Sequence, residues 1–274
     1  MAVNVTFSDD PARVLAKAHG YLAAEPVLHN LILTLLHARV AHPEPGRYWV
    51  ASEGETAIGV VFQSPTTFMA TLTPMGHGAV AAMVEAIVDA EIDLPGVIGD
   101  ASAASRFAGQ WTERRRVAAS PHEGQRIYEL GELHTGLNVA GHLRNATMND
   151  RDLIVGWLHG FQADTGEQGS DPERLVNARL PEGQYWIWED GEPVSMASGS
   201  PPIEGVSRIG AVYTPPERRN RGYAEGCVRE LSRHLQKEGL HCMLYTDLSN
   251  PTSNSIYRRI GYRAIAEVLR YRFD

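Results

Sequence analysis

Three arginines, a glycine and an alanine crowd into Arg218-Arg219-Asn220-Arg221-Gly222-Tyr223-Ala224, and these are residue types that hold an anion. Gly222 and Ala224 carry almost no side chain, so a ligand can approach the main chain there. The first amides of a helix starting at this point would have no internal partner and would carry the positive end of its dipole, a setting that a phosphate or pyrophosphate satisfies. The arginines add local positive charge to a chain whose formal charge is -8, which sets them apart from a merely solvated run. A second group lies further on, in Asn250, Asn254 and Tyr257. Each asparagine amide both donates and accepts a hydrogen bond, and a phenol carries a proton with an ordinary pKa of ~10.

The elements that must position these groups are legible around them. Ile209, Ala211 and Tyr213 give the apolar alternation of a strand, Pro215-Pro216 ends its pairing, and Tyr223, Cys227, Val228, Leu231 and Leu235 recur at helical spacing. From Leu244 to Tyr262 the order is strand, loop, helix and a stop at Gly261.

The sequence of strand, Pro-Pro-Glu, Arg-x-x-Gly-x-Ala and helix resembles the acyl-CoA signature of the GCN5-related N-acetyltransferase (GNAT) superfamily, with Arg219, Gly222 and Ala224 in its fixed places. Asn250, Ile256, Tyr257, Gly261 and Tyr262 resemble the second block of the same superfamily, and the likeness covers about residues 142–274. The resemblance implies that acetyl-CoA is the acyl donor and that a primary amine on a small molecule or peptide is the acceptor, attacking directly in a ternary complex. It implies cofactor contacts from Ala211, Val212 and Tyr213 on the strand, from Arg218, Arg219, Asn220, Arg221, Gly222, Tyr223 and Ala224 on the turn, and from Asn250, Asn254 and Tyr257. Tyr257 is the implied proton donor to sulfur, set against its reading as a core aromatic on an apolar helix face. Two neighbouring strands that splay apart would expose main-chain groups to a pantetheine arm, and an N–H near Val212 would face the oxyanion. The base stays open among Glu204, Asp247 and a chain of waters. A non-catalytic acyl-CoA-binding or interaction module is the competing reading.

Other chemistries find less support. No Gly-x-x-x-x-Gly-Lys-Ser/Thr occurs, and Gly76-x-Gly78-x-x-Ala81 with Asp100 mimics a dinucleotide fingerprint without the parallel strand-helix units that such a fold requires. The acidic balance argues against nucleic acid or a membrane surface as partner, and the longest oily run, near Leu31 to Leu36, is far too short for a span. Cys227 and Cys242 are the two cysteines, with no metal-site spacing, so no metal is expected. His241-Cys242 reads as packing, and the polar start from Met1 to Asp10 reads as no leader, giving a cytoplasmic expectation with a homodimer left open.

The two halves repeat one order. Tyr185 stands 137 positions after Tyr48 and Asp190 137 after Glu53, so Tyr48-Trp49-Val50 with Glu53-Gly54-Glu55 matches Tyr185-Trp186-Ile187 with Asp190-Gly191-Glu192. Strands, helices and hairpins follow each in the same order, which predicts two tandem α/β domains, 1–137 and 138–274, each a mixed, mostly antiparallel sheet flanked by helices. The linker falls in Leu133 to Gly141. In the first copy Pro74-Met75-Gly76-His77-Gly78-Ala79 keeps glycines and lacks arginines, so that copy is expected to be degenerate and to have lost the anion. In the second, the helical arm of 152–164 and 172–180 is where the resemblance sets the acceptor pocket, with Asp164, Glu167 and Asp171 as carboxylates that could draw a cationic amine.

Overall fold

The computed structural model describes residues 2–136, 138–166 and 171–274, except the side chain of Glu123. The chain divides into two compact units. Unit 1 comprises Met1–Ile127, Thr246–Ser249 and Ile265–Asp274, and unit 2 comprises Tyr128–Tyr245 and Asn250–Ala264.

Unit 1 opens with strand β1 (Val3–Ser8), which follows from none of the sequence patterns above, then helices α1 (Pro11–Ala24) and α2 (Asn30–Ala41) on either side of Pro26. Next come β2 (Arg47–Glu53), β3 (Thr56–Gln63), β4 (Ala70–Leu72), α3 (His77–Asp89), β5 (Gly96–Asp100), α4 (Ala101–Arg115) and β6 (Ala119–Leu130), whose residues from Tyr128 on are counted with unit 2. Residues 119–130 form one long strand, β6.

Unit 2 repeats the order with β7 (His142–Asn145), α5 (Arg151–Thr165), α6 (Pro172–Arg179), β8 (Tyr185–Glu189), β9 (Pro193–Gly199), β10 (Val206–Tyr213), α7 (Tyr223–Lys237), β11 (His241–Asp247) and α8 (Pro251–Ile260). The chain ends in β12 (Tyr262–Phe273), whose residues from Ile265 on belong to unit 1 and pair antiparallel with β5.

Local chemistry explains the boundaries. Three helices start by one device, a side-chain oxygen cap followed by proline: Asp10 before Pro11, Asp171 before Pro172 and Asn250 before Pro251. Each cap oxygen accepts first-turn amides, and proline has no N–H to leave unpaired. Both hairpins turn on a left-handed glycine, Gly54 (φ 59°) and Gly191 (φ 71°).

Among the described residues β4 pairs parallel with β5 and β10 with β11, while β1–β2, β2–β3, β3–β4, β5–β12, β7–β8, β8–β9 and β9–β10 pair antiparallel. A parallel pair needs a crossover, supplied by α3 and α7. Trp49, Val61, Leu72, Met83, Val97 and Phe107 fill the core beneath α3 and α4, and Ile209, Cys227, Leu231, Leu244, Tyr257 and Tyr262 fill that beneath α7 and α8. Among the described residues no helix is long and apolar enough to cross a membrane.

Candidate functional site

The anion-binding turn is built as its residue types require. After Tyr213, Thr214 and Pro215 lead into a single 3-10 turn, Pro216–Arg218, and the backbone then alternates. Arg219 has φ -67°, Asn220 is left-handed at 64° and Gly222, the residue before α7, is left-handed at 82°. The two left-handed residues turn the chain sharply ahead of α7. The amides of residues 220–225 meet no acceptor among the described residues, and the first helical bond is Gly226 N–H to Gly222 O at 2.9 Å. No side chain caps the helix. A Cβ on Gly222 would sit 3.1 Å from Val139 Cγ2 in a conformation that L side chains rarely adopt, so only glycine keeps the turn open.

The three arginines divide. Arg218 is bound to Glu192, and Arg219 to Asp164, with Arg219 Nε donating to Thr214 O at 3.0 Å and its guanidinium lying 5.9 Å from the Tyr213 ring centre. These two fix the turn against its own unit. Arg221 is exposed and has no partner among the described residues, which leaves it available to an incoming anion. Tyr223 is buried and donates to Asp190 at 2.7 Å, and Ala224 is partly buried in the first helical turn.

Next to the turn the sheet opens. β10 and β11 pair from Val206 with His241 to Ile209 with Leu244, and no later pair joins them among the described residues, although β10 runs on to Tyr213. A bulge between Gly210 and Tyr213, with Ala211 left-handed at φ 46°, bends β10 there. The simple alternation of Ile209, Ala211 and Tyr213 therefore needs correction. Ile209 and Val212 pack toward α7, whereas Ala211 and Tyr213 pack toward α5, because the extra residue at the bulge shifts the face. The other edge of β10 is occupied: Tyr213 pairs with Met196, and Ser195 Oγ donates to Tyr213 O at 2.9 Å.

Tyr257 stands on α8 in the same apolar cluster as Ile209 and Leu244, the last paired residues of the seam. Burial pushes its phenol up to about 12, opposed by a hydrogen bond from Ser253, so the group stays protonated through the neutral range. The asparagines also make internal hydrogen bonds. Asn250 Oδ1 accepts Ser253 N–H at 3.0 Å as the helix cap, while buried Asn254 accepts the Tyr128 hydroxyl at 2.9 Å and donates to Asn250 O at 2.6 Å. Glu204 lies in the tight turn before β10, at the opposite end of that strand from the opening. Asp247 is counted with unit 1, and Gln125 approaches it at 3.5 Å. Asp164 is tied to Arg219, Asp171 caps α6, and Glu167 lies outside the described residues.

One group escaped the sequence reading. Arg208, Gly210, Ser198 and Tyr245 lie beside the opening on the sheet face that carries α5 and α6. The available signals were an arginine between buried neighbours in a strand and a glycine in a strand interior, which often marks a close approach.

The FR47-like protein family matches residues 190–271, which contain the turn, the seam and Tyr257. The sequence matches no curated protein. The fold resembles a GCN5-related N-acetyltransferase from Sphaerobacter thermophilus (TM-score 0.66, 16% identity, covering 98% of this chain and 95% of the other). It also resembles a GNAT-family acetyltransferase from Colwellia psychrerythraea (TM-score 0.64, 10% identity, 100% of both chains). A tandem GNAT protein from the clavulanic acid biosynthesis pathway aligns over 98% of each chain at TM-score 0.57 and 10% identity. The chain thus has the GNAT acetyltransferase fold over its whole length, with the FR47-like pattern in its carboxyl-terminal part.

Proposed function

We propose that this protein is an N-acetyltransferase that moves an acetyl group from acetyl-CoA to a primary amine, with the cofactor site in unit 2 and a copy of that site lost from unit 1. The observation that carries the reading is the run of amides from residue 220 to 225, open on a glycine-permitted turn that follows a strand whose pairing with β11 stops at Ile209. A diphosphate fits that donor set, with Arg221 adding charge and the α7 dipole adding to it. Acetyl-CoA supplies the acetyl group as an activated thioester.

The chain's own groups then have defined tasks. Main-chain groups of Ala211, Val212 and Tyr213, on the edge that β11 leaves, bind the amides of the pantetheine arm. The Val212 N–H donates toward the acyl oxygen, where negative charge grows. Tyr257 holds a proton for the departing sulfur. Over the whole reaction a C–S bond is exchanged for a C–N bond, the acceptor nitrogen sheds one proton and the sulfur gains one. Holding both reactants in register contributes several kcal/mol, which lessens the need for a dedicated base.

Calorimetry with acetyl-CoA followed by thiol-release assays over a panel of amines tests the reading. Binding with release supports it. Binding without release for any amine leaves an acyl-CoA-binding module, and absence of binding overturns the assignment of the site.

A further inference from the structure

Helix α5 carries two glycines in its interior, Gly156 and Gly160, about one turn apart, and each weakens the helix relative to alanine. Their surroundings differ. A Cβ added to Gly156 would meet nothing within 4 Å, whereas one added to Gly160 would lie 2.6 Å from Tyr213 Cζ and closer still to the Tyr213 hydroxyl oxygen. Gly160 is thus a notch that seats the end of the Tyr213 ring.

The main chain of Tyr213 is anchored. It pairs with Met196, its carbonyl accepts Ser195 Oγ at 2.9 Å, and Ser195 Oγ also meets Thr214 Oγ1 at 2.8 Å. The ring lies 6.5 Å from that of Trp157, centre to centre, and the Arg219 guanidinium stands 5.9 Å from its centre. Arg219 is in turn ion-paired with Asp164, which follows Gly160 by one turn on the same helix face, and its Nε donates to Thr214 O at 3.0 Å. Helix α5 therefore grips the chain twice, at the end of β10 and again at Arg219, the residue just before the amides of 220–225.

We infer that Gly160 is a positioning residue for the cofactor: by seating Tyr213 it sets Arg219 and, through it, the turn that holds the diphosphate. The inference rests on the transferase reading for the identity of the ligand, and it adds a residue that lies outside every cofactor contact. A side chain at position 160 must push the ring against its neighbours. Because the Tyr213 main chain is pinned on its β9 side, the ring and the guanidinium beside it are what move.

The test is calorimetry on the full chain with coenzyme A, beside saturation-transfer NMR with pantetheine, which has the arm and lacks the diphosphate. Gly160→Ala is expected to weaken coenzyme A binding about 10-fold and to leave pantetheine binding as it was. Gly156→Ala adds the same methyl group one turn away, where it meets nothing within 4 Å; it should keep coenzyme A affinity and raise the melting temperature by about 2 °C. Tyr213→Leu empties the notch instead of filling it and should give the same selective loss, so poor folding of Gly160→Ala does not end the test. Coenzyme A bound by either Gly160→Ala or Tyr213→Leu as tightly as by the unaltered protein overturns the inference. So does a loss of pantetheine equal to that of coenzyme A, which marks a general disturbance of the sheet. If the unaltered protein binds coenzyme A and these variants bind it equally well, this inference alone fails. If the unaltered protein does not bind coenzyme A, the transferase reading fails and takes the role of Gly160 with it.

Discussion

The two units place the same strands in the same order and differ at one seam. In unit 1, β4 pairs with β5 along its whole length, Ala70 with Val97 to Leu72 with Gly99, and Gly99 admits the Leu72 carbonyl so closely that an added Cβ would lie 2.4 Å from it. In unit 2 the corresponding strand continues for four residues past its last partner, through a bulge at Ala211. The helix that follows differs in step. α3 starts after Gly76, whose φ is -69°, whereas α7 starts after the left-handed residues Asn220 and Gly222. The face across the sheet follows suit: the row Tyr48, Phe62, Thr71, Ile98 is plugged by a buried phenylalanine where unit 2 has Ser198. One arrangement of strands thus carries a closed seam in unit 1 and an opened seam in unit 2.

The largest expected difference is at the paired glycines. Gly222→Val forces a β-branched residue into a left-handed turn and should weaken acetyl-CoA binding by about 10³-fold, the loss of two charge-assisted hydrogen bonds at about 2 kcal/mol each. Gly76→Val meets nothing within 4 Å and has an ordinary φ, so calorimetry should find its affinity unchanged. Equal effects from the two would erase the proposed asymmetry.

Next comes Tyr257→Phe, expected to lower kcat by about 10²-fold while leaving acetyl-CoA affinity as it was. Because burial holds that phenol at about 12, the pH profile of the unaltered enzyme should rise with deprotonation of the acceptor amine and show no fall from tyrosine ionisation up to about pH 10. A descending arm near pH 8 would remove Tyr257 from the role.

The closed seam itself can be forced. Gly99→Val should destabilise the protein by about 2–3 kcal/mol in urea unfolding, since its side chain must displace a strand carbonyl rather than a flexible neighbour. Unchanged stability would mean that β4 and β5 are not held as described.

The smallest effect concerns how the first helix of each unit is fastened. Asp150, just before α5, accepts two bonds from Arg144 at 2.8 Å and the Thr147 amide, and the Arg144 bond first of all lowers its carboxyl to about 2. A carboxylate whose folded pKa is depressed stabilises above its unfolded value, so this contribution is complete above about pH 5 and lost as pH falls toward 2. Asp150→Asn should cost about 1–2 kcal/mol at neutral pH, below the value for a fully buried pair because the arginine is 28% exposed. The difference should vanish near pH 2 in acid titrations followed by circular dichroism. Asp10→Asn before α1 keeps a competent cap and disturbs only an ion pair with exposed Arg13, so it should cost well under about 1 kcal/mol.

Much of this was written in short-range chemistry. The Asp-Pro and Asn-Pro helix starts, the hairpin glycines, the repeat of Tyr-Trp before an acidic turn and the glycine-bearing arginine loop are local features, because a cap, a turn or a helix period is decided by residues within a few positions of one another. The sequence also supplied the arginines without their partners: that Arg218 and Arg219 are tied to Glu192 and Asp164, that Asn254 is committed to Tyr128, and that Ala211 sits in a bulge depend on residues far away in the chain. Only the folded chain decided that β10 outruns β11, that Arg208 and Tyr245 share a face with Ser198 and Gly210, and that the final strand from Ile265 completes unit 1. Strand register joins residues by hydrogen bonds across long loops, and a shift of one position turns every side chain to the other face, so no local pattern can fix it.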